Sequence, residues 1–272
     1  MVPVAWLSVA AAAYAGGATL FALHAAGRGP RPLTGSRTAG LIVGALAVVL
    51  HAVALRSLLF VPTGLELGFF QMISLVGWQI AVVVLLAVVR LPLAGVAVAV
   101  LPVAAAAALA PAVFESSAIS TALGWQLEAH ILLSLLAYSL LAVAAVQALV
   151  LAVQDRQLHR HRPVRWVSVL PPLEAMESLL FRLLSAGFVL LGLALATGFV
   201  FVDDLLGQHL LHKTVLSVFA WALFGVLLWG RWRRGWRGRT ALRWTLAAFA
   251  LLALGYFGSK LVLELILHRR WG

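Results

Sequence analysis

His212 to Arg239 reads HKTVLSVFAWALFGVLLWGRWRRGWRGR, and its order of residue types gives it a direction. It opens with a titratable pair, His212-Lys213. An apolar run follows as far as Trp229, close to the about 20 residues that cross a bilayer. It closes with Arg231, Arg233, Arg234, Arg237 and Arg239, with Trp232 and Trp236 among them. Arginine-rich flanks mark the cytoplasmic side of a span, and tryptophan favours the lipid–water interface. The stretch therefore reads as a membrane span with His212 outside and the arginines inside.

The whole chain has the matching composition. Hydrophobic residues make up 63% and charged residues 11%, and the mean hydropathy is +1.04. A soluble domain is about half apolar and about a quarter charged, so a polytopic all-α membrane bundle is expected. The net charge of +11 does not call for nucleic acid. It is loop arginine placed by the positive-inside rule. With no cysteine, the chain itself can supply neither a disulfide nor a thiolate ligand.

Taken in order, the apolar runs predict eight transmembrane helices in a single integral membrane domain over residues 1–272. They cover about Pro3–His24, Thr38–Val61, Leu65–Val89, Leu93–Phe114, Leu127–Val153, Leu183–Val202, the stretch after His212, and Ala241–Leu267. The fourth is expected to be broken at Pro102. Pro171-Pro172 and the following LEAMESLLFR read as a helix start, with proline in the first turn and carboxylates soon after, lying along the interface before the sixth span. Of the 20 lysines and arginines, Lys213, Arg269 and Arg270 fall on outer segments and Arg56 and Lys260 within spans. All the others fall on inner segments, which places both termini outside.

Ionisable residues within spans suggest function, because they are costly there. His51 stands near the middle of the second span, where an imidazole can serve as a hydrogen-bonded structural group or as an iron ligand. Arg56 can snorkel outward. Lys260 and Glu264, one turn apart, can pair with each other. His130 opens the fifth span from the outer side, close to Trp125, and His209 and His212 approach the seventh from that side. Glu128, Asp203, Asp204 and His268 share the layer. His159 and His161 sit among inner-loop arginines that suit anionic lipid. No G-x-S-x-G, H-E-x-x-H or phosphate-binding glycine loop is present, so no enzyme activity is expected.

Lys213, Trp221 and the GWRGR of Gly235–Arg239, continued by Tyr256-Phe257-Gly258 and reaching back to about Trp125, resemble the cytochrome c assembly family of the CcsA/CcmC type. The resemblance covers about residues 125–268 and is nearest to the YpjD-like inner-membrane subgroup. Leu211-His212-Lys213-Thr214 stands where the family carries a WDPKE-like end of a tryptophan-rich outer segment. The resemblance implies a multi-pass protein of the bacterial inner membrane that binds or delivers haem in cytochrome c biogenesis. Its partners would be the lipid bilayer, haem and other biogenesis proteins. It further implies His130 as an outer-side haem ligand and His51 as a ligand within the membrane. The usual companion of the latter would fall at about Trp229, which cannot ligate iron. From the residues themselves, His212 is the second outer candidate, with Lys213 beside it for a propionate, Trp125 as an aromatic face for the porphyrin and His209 as its competitor. A non-haem scaffold protein and a small-molecule transporter are the alternatives.

The orientation is testable on a chain with no native cysteine. Single cysteines replacing Ser36, Ser168 and Thr240 should stay shielded from an impermeant thiol reagent in intact cells. One replacing Ser117 should label. Labelling at 168 and 240 from outside would reverse the orientation.

Overall fold

The computed structural model describes residues 2–26, 36–61, 64–66, 68–90, 93–114, 120–121, 124–159, 172–201 and 208–258. The side chains of 2–3, 36, 64–66, 120–121, 208–212 and 257–258 fall outside that description. The helices are α1 (Val2–Ala25), α2 (Ser36–Leu59), α3 (Phe69–Arg90), α4 (Ala94–Val113), α5 (Trp125–His159), α6 (Leu173–Phe201), α7 (Gln208–Arg234) and α8 (Gly238–Ala253). A π-helical turn, Leu254–Gly258, continues α8. Among the described residues, α1 to α7 supply seven helices long and apolar enough to cross a membrane. The eighth span is represented by α8 and the π turn; its expected remainder to Leu267 lies outside the described residues. The protein is thus an all-α, multi-pass membrane protein.

Some details depart from the sequence expectation. α4 runs through Pro102 and Pro111 without a break; its Ala-rich sequence has the highest helix propensity, and neighbouring helices can accommodate a proline in a span. Leu173 to Phe201 form one unbroken helix, so the segment expected along the interface is the first part of the sixth span. The chain before α3 makes a small hairpin instead of an early helix start. There β1 (Phe60–Val61) pairs antiparallel with β2 (Gly64–Glu66), Phe60 opposite Leu65 and Val61 opposite Gly64. β3 (Ser120–Thr121) is the third strand of this sheet, in the order β1-β2-β3.

The chain forms two compact units, one of residues 1–120 with 153–173, the other of 121–152 with 174–272. In the first, α1 packs on α2 and α4, and α3 packs on α4 and α2. α1 buries Leu7, Ala10, Ala11, Tyr14, Ala18 and Phe21, spaced as one face of a 3.6-residue period. α2 keeps Ile42, Leu46, Val49 and Val53 exposed, as a lipid-facing stripe requires. Hydrocarbon gives no hydrophobic drive between helices, so small residues decide where backbones meet. A Cβ on Gly17 would lie 3.4 Å from the Gly44 amide nitrogen. One on Gly44 would lie 2.8 Å from Leu85, and one on Gly77 would meet the Ala107 methyl. Gly40 and Gly44 form a G-x-x-x-G pair on α2. At one end of the unit the Arg37 guanidinium donates to the carbonyls of Val88 and Val89, closing the C-terminus of α3 where a cation is favoured.

In the second unit Gln147 of α5 donates to the Met176 carbonyl of α6 at 3.1 Å. The Trp221 indole of α7 donates to the Phe188 carbonyl of α6 at 3.2 Å and stacks on the Phe188 ring at 4.9 Å. Gly192 makes room for that indole. α7 ends in an αL cap: Gly235 has φ 65°, and its amide donates to the Arg231 carbonyl at 3.1 Å. The chain then folds Trp236 back over Gly230 and against Trp244, 5.4 Å between rings. Arg231 reaches Glu177 on α6 at 3.4 Å, with Glu177 only 13% exposed, and covers the Phe181 ring.

Two glycine substitutions should differ in sign. Gly77→Ala forces two methyl groups together and should destabilise by about 1–3 kcal/mol. Gly16→Ala meets only Val43, at 3.7 Å, and should be neutral or gain up to about 1 kcal/mol from helix propensity. Thermal unfolding in detergent checks this; equal losses would refute the close packing of α3 on α4.

Candidate functional site

The second unit contains a cavity of about 210 Å³. It is lined at helical spacing from four sides. α5 contributes His130, Ser134 and Tyr138, four residues apart, which places them on one face. α6 contributes Leu191, Ala194 and Gly198, and α7 contributes Lys213, Thr214 and Ser217. Leu252 of α8 and Tyr256 of the π turn close it. The Tyr138 ring lies 5.8 Å from that of Tyr256 and 5.4 Å from that of Phe249. A histidine, a lysine and several hydroxyl-bearing residues thus line one cavity together with aliphatic and aromatic residues. Lys213 near the end of a span is the kind of charge that a lipid-facing surface would not carry without a role.

His130 is half-buried, and α6 seats it. Its Nδ1 lies 3.1 Å from the Thr197 hydroxyl, which in turn donates to the Ala194 carbonyl of its own helix at 3.0 Å. The ring rests against Gly198, where an added Cβ would come within 3.0 Å of Cε1. Trp125, the aromatic surface expected from the sequence, is 70% exposed and faces Phe201 at 6.4 Å between rings. It does not line the cavity; Tyr138, Phe199 and Tyr256 do.

His212 lies on α7 directly before Lys213, but its side chain, like that of His209, is outside the described residues. Asp203, Asp204, Lys260, Glu264 and His268 are outside them too. His51 belongs to the first unit, where it is fully buried. Its Nδ1 is 3.3 Å from the Tyr14 hydroxyl, and its Nε2 is 2.9 Å from the Ser74 hydroxyl. Both ring nitrogens are therefore engaged, tying α1, α2 and α3 together. Arg56 is exposed, in keeping with an outward snorkel. Among the described residues no group of three or more His, Cys, Asp or Glu is arranged to hold a metal ion, and His130 is the one described histidine that lines the cavity.

Sequence reasoning missed Ser134, Tyr138, Thr197 and Ser217 as site residues. A signal for three of them was present: His130-Ser134-Tyr138 and Lys213-Ser217 are four-residue repeats of polar groups within apolar helices. Thr197 carried no comparable mark, because threonine is common in spans.

Residues 39–267 match the family described as Cytochrome C assembly protein, so the similarity extends back over α2, α3 and α4. The chain is 35% identical over 243 residues to "Inner membrane protein YpjD" of Escherichia coli K12, covering 85% of this chain and 89% of that protein. It is 26% identical over 131 residues to "Protein HemX" of Brevibacillus brevis, 47% of this chain and 48% of that one. It is 25% identical over 111 residues to "Cytochrome c biogenesis protein CcsA" of Prochlorococcus marinus NATL1A, 40% of this chain and 34% of that one. No solved structure matches.

Proposed function

Since the chain belongs to the cytochrome c assembly protein family, we propose that it handles haem at the α5–α8 cavity, with His130 as an axial ligand. The single observation that carries this reading is that His130 and Lys213 line the same cavity. Haem bound there would supply an iron able to take an imidazole nitrogen. The residues of the cavity suit such a group. The ammonium of Lys213 complements a propionate, and Ser134, Thr214 and Ser217 can donate to its oxygens. Tyr138, Phe199, Tyr256 and the leucines give the apolar and aromatic wall that a flat macrocycle needs.

Size refines the proposal. About 210 Å³ is below the roughly 300–1,000 Å³ of pockets that enclose a drug-sized ligand. The cavity as it stands suits one edge of a macrocycle, with the rest outside it. Partial enclosure fits cargo in transit better than a permanent cofactor. We assign the second outer imidazole to His212, which precedes Lys213 on α7. His51 would reach iron only by giving up Tyr14 or Ser74, so this reading treats it as a bridge within the first unit. The protein is then a binding and transfer component without bond-making chemistry of its own. It sits in the bacterial inner membrane and passes haem to other biogenesis proteins.

The test is haem content and the reduced-minus-oxidised spectrum of protein purified from haem-replete cells. Wild type should carry low-spin haem. His130→Ala and His212→Ala should lose that signal at unchanged protein yield, and His209→Ala should keep it. Lys213→Gln should weaken haem binding on the order of tenfold, as for the loss of a charged hydrogen bond. A wild type without haem would favour the non-haem scaffold reading. Unchanged spectra in both histidine variants would overturn the site assignment.

A further inference from the structure

We infer that Thr197 and Gly198, neighbours on α6, are positioning residues for His130. Thr197 locks its imidazole in the tautomer protonated on Nδ1, and Gly198 gives the ring its seat, so that Nε2 keeps a lone pair available for a metal centre.

The tautomer follows from counting protons. The Thr197 hydroxyl has one proton and two neighbours, His130 Nδ1 at 3.1 Å and the Ala194 carbonyl at 3.0 Å. A carbonyl can only accept; an imidazole nitrogen can donate or accept according to its protonation. If the hydroxyl proton pointed at Nδ1, two unprotonated oxygens would be left 3.0 Å apart with no hydrogen bond between them. If it points at the Ala194 carbonyl, Nδ1 must carry the proton shared with Thr197, and both contacts become hydrogen bonds. The second arrangement turns both contacts of the Thr197 hydroxyl into hydrogen bonds, where the first makes only one. It also uses a bond that threonine makes readily within its own helix, to a carbonyl one turn back. The hydroxyl is thus committed as a donor inside α6 before His130 approaches, and it presents His130 with an acceptor only.

A neutral imidazole protonated on Nδ1 has its lone pair on Nε2. Metal-binding histidines commonly have this arrangement, with the second ring nitrogen donating to an oxygen that fixes tautomer and ring orientation. Gly198 completes the seat by being small. An added Cβ would lie 3.0 Å from Cε1, 3.6 Å from Nδ1 and 3.8 Å from Nε2 of His130. All three atoms are near the α-carbon, so the ring leans on the α6 backbone, and any side chain there would push it away. The glycine is helical, so its role is space and not backbone freedom.

The iron-binding part of this inference rests on the haem reading above; the tautomer does not. The test separates them. Haem-free protein with ¹⁵N-labelled histidine is prepared as wild type, Thr197→Val, Thr197→Ser and Gly198→Ala, and the imidazole nitrogens are followed by NMR at a pH where the ring is neutral. Wild type should show His130 protonated on Nδ1 and bare on Nε2. Thr197→Val, equal in shape but without the acceptor, should release the ring into a mixture of tautomers. Thr197→Ser should restore the wild-type pattern, and Gly198→Ala should shift the His130 signals without changing the fold. Haem titration of the same proteins should then show Thr197→Val weaker by about 10–100-fold, the range for loss of such a supporting hydrogen bond, with Thr197→Ser close to wild type. A wild-type His130 protonated on Nε2, or a Thr197→Val pattern identical to wild type, overturns the inference whatever haem does. The expected tautomers in a protein that takes up no haem would support the role of Thr197 and overturn the haem reading instead.

Discussion

Hydrocarbon offers no hydrogen-bond partner, so each polar group within the spans must find one inside the protein. Most of the internal architecture follows from that constraint. The Gln147 amide nitrogen donates to the Met176 carbonyl, Trp78 to the Val48 carbonyl, Trp221 to the Phe188 carbonyl, and Ser139 to the turn before it. Three of these bonds run from one helix to another. In a medium where leucine packs as well on lipid as on protein, such bonds and the small-residue contacts at Gly17, Gly44 and Gly77 fix which faces meet. The polar groups are few because each needs a partner, and each therefore specifies a neighbour.

The same logic governs the arginine-rich end of α7. Glu177 faces Arg231 at 3.4 Å and Arg237 at 3.9 Å, and one carboxylate can neutralise only one of them. The remaining cations are left to water and headgroups, where the exposed Trp229 and Trp232 also sit. Arg234 lies over Trp229 and Arg233 over Trp232, a pairing that shields guanidinium groups at an interface without burying them. The tight turn at Gly235 then brings Trp236 onto Gly230 and Trp244, so that the α7–α8 connection is packed. The segment that gives the sequence its direction is thereby also the one that holds its last two helices together.

Helix class and seven of the eight expected spans were legible from the sequence because they depend on length and apolar content. Pro102 misled because proline's helix-breaking weight is calibrated in water, where a freed carbonyl is easily solvated. The interfacial reading of Leu173–Arg182 failed for a related reason. Its charged residues suggested a surface segment, but Glu177 is held by Arg231, a residue about 50 positions later that no local pattern announces. His130 could be singled out because it opens a span, and it lines the cavity. Its seat could not, because Thr197 and Gly198 acquire their meaning only when α6 lies beside α5. Trp125 was over-read: an aromatic near a histidine in sequence need not share its cavity, and here it turns to Phe201 instead.

The contrast between His51 and His130 shows what the fold does with one side chain. His51 lies between two hydroxyls on two other helices, Tyr14 and Ser74, with both ring nitrogens in use. Every atom capable of coordination is spent on joining α1, α2 and α3, and the imidazole acts as a three-helix clasp in a region with no water to compete for it. His130 has an oxygen partner on Nδ1 and a cavity on its flank. Its ring is oriented by the Thr197 hydroxyl of α6. A ligand must be fixed in direction yet retain a lone pair, and a clasp must retain none. The His51 contacts hold α1, α2 and α3 in register, whereas His130, on α5, is held against α6 beside a cavity.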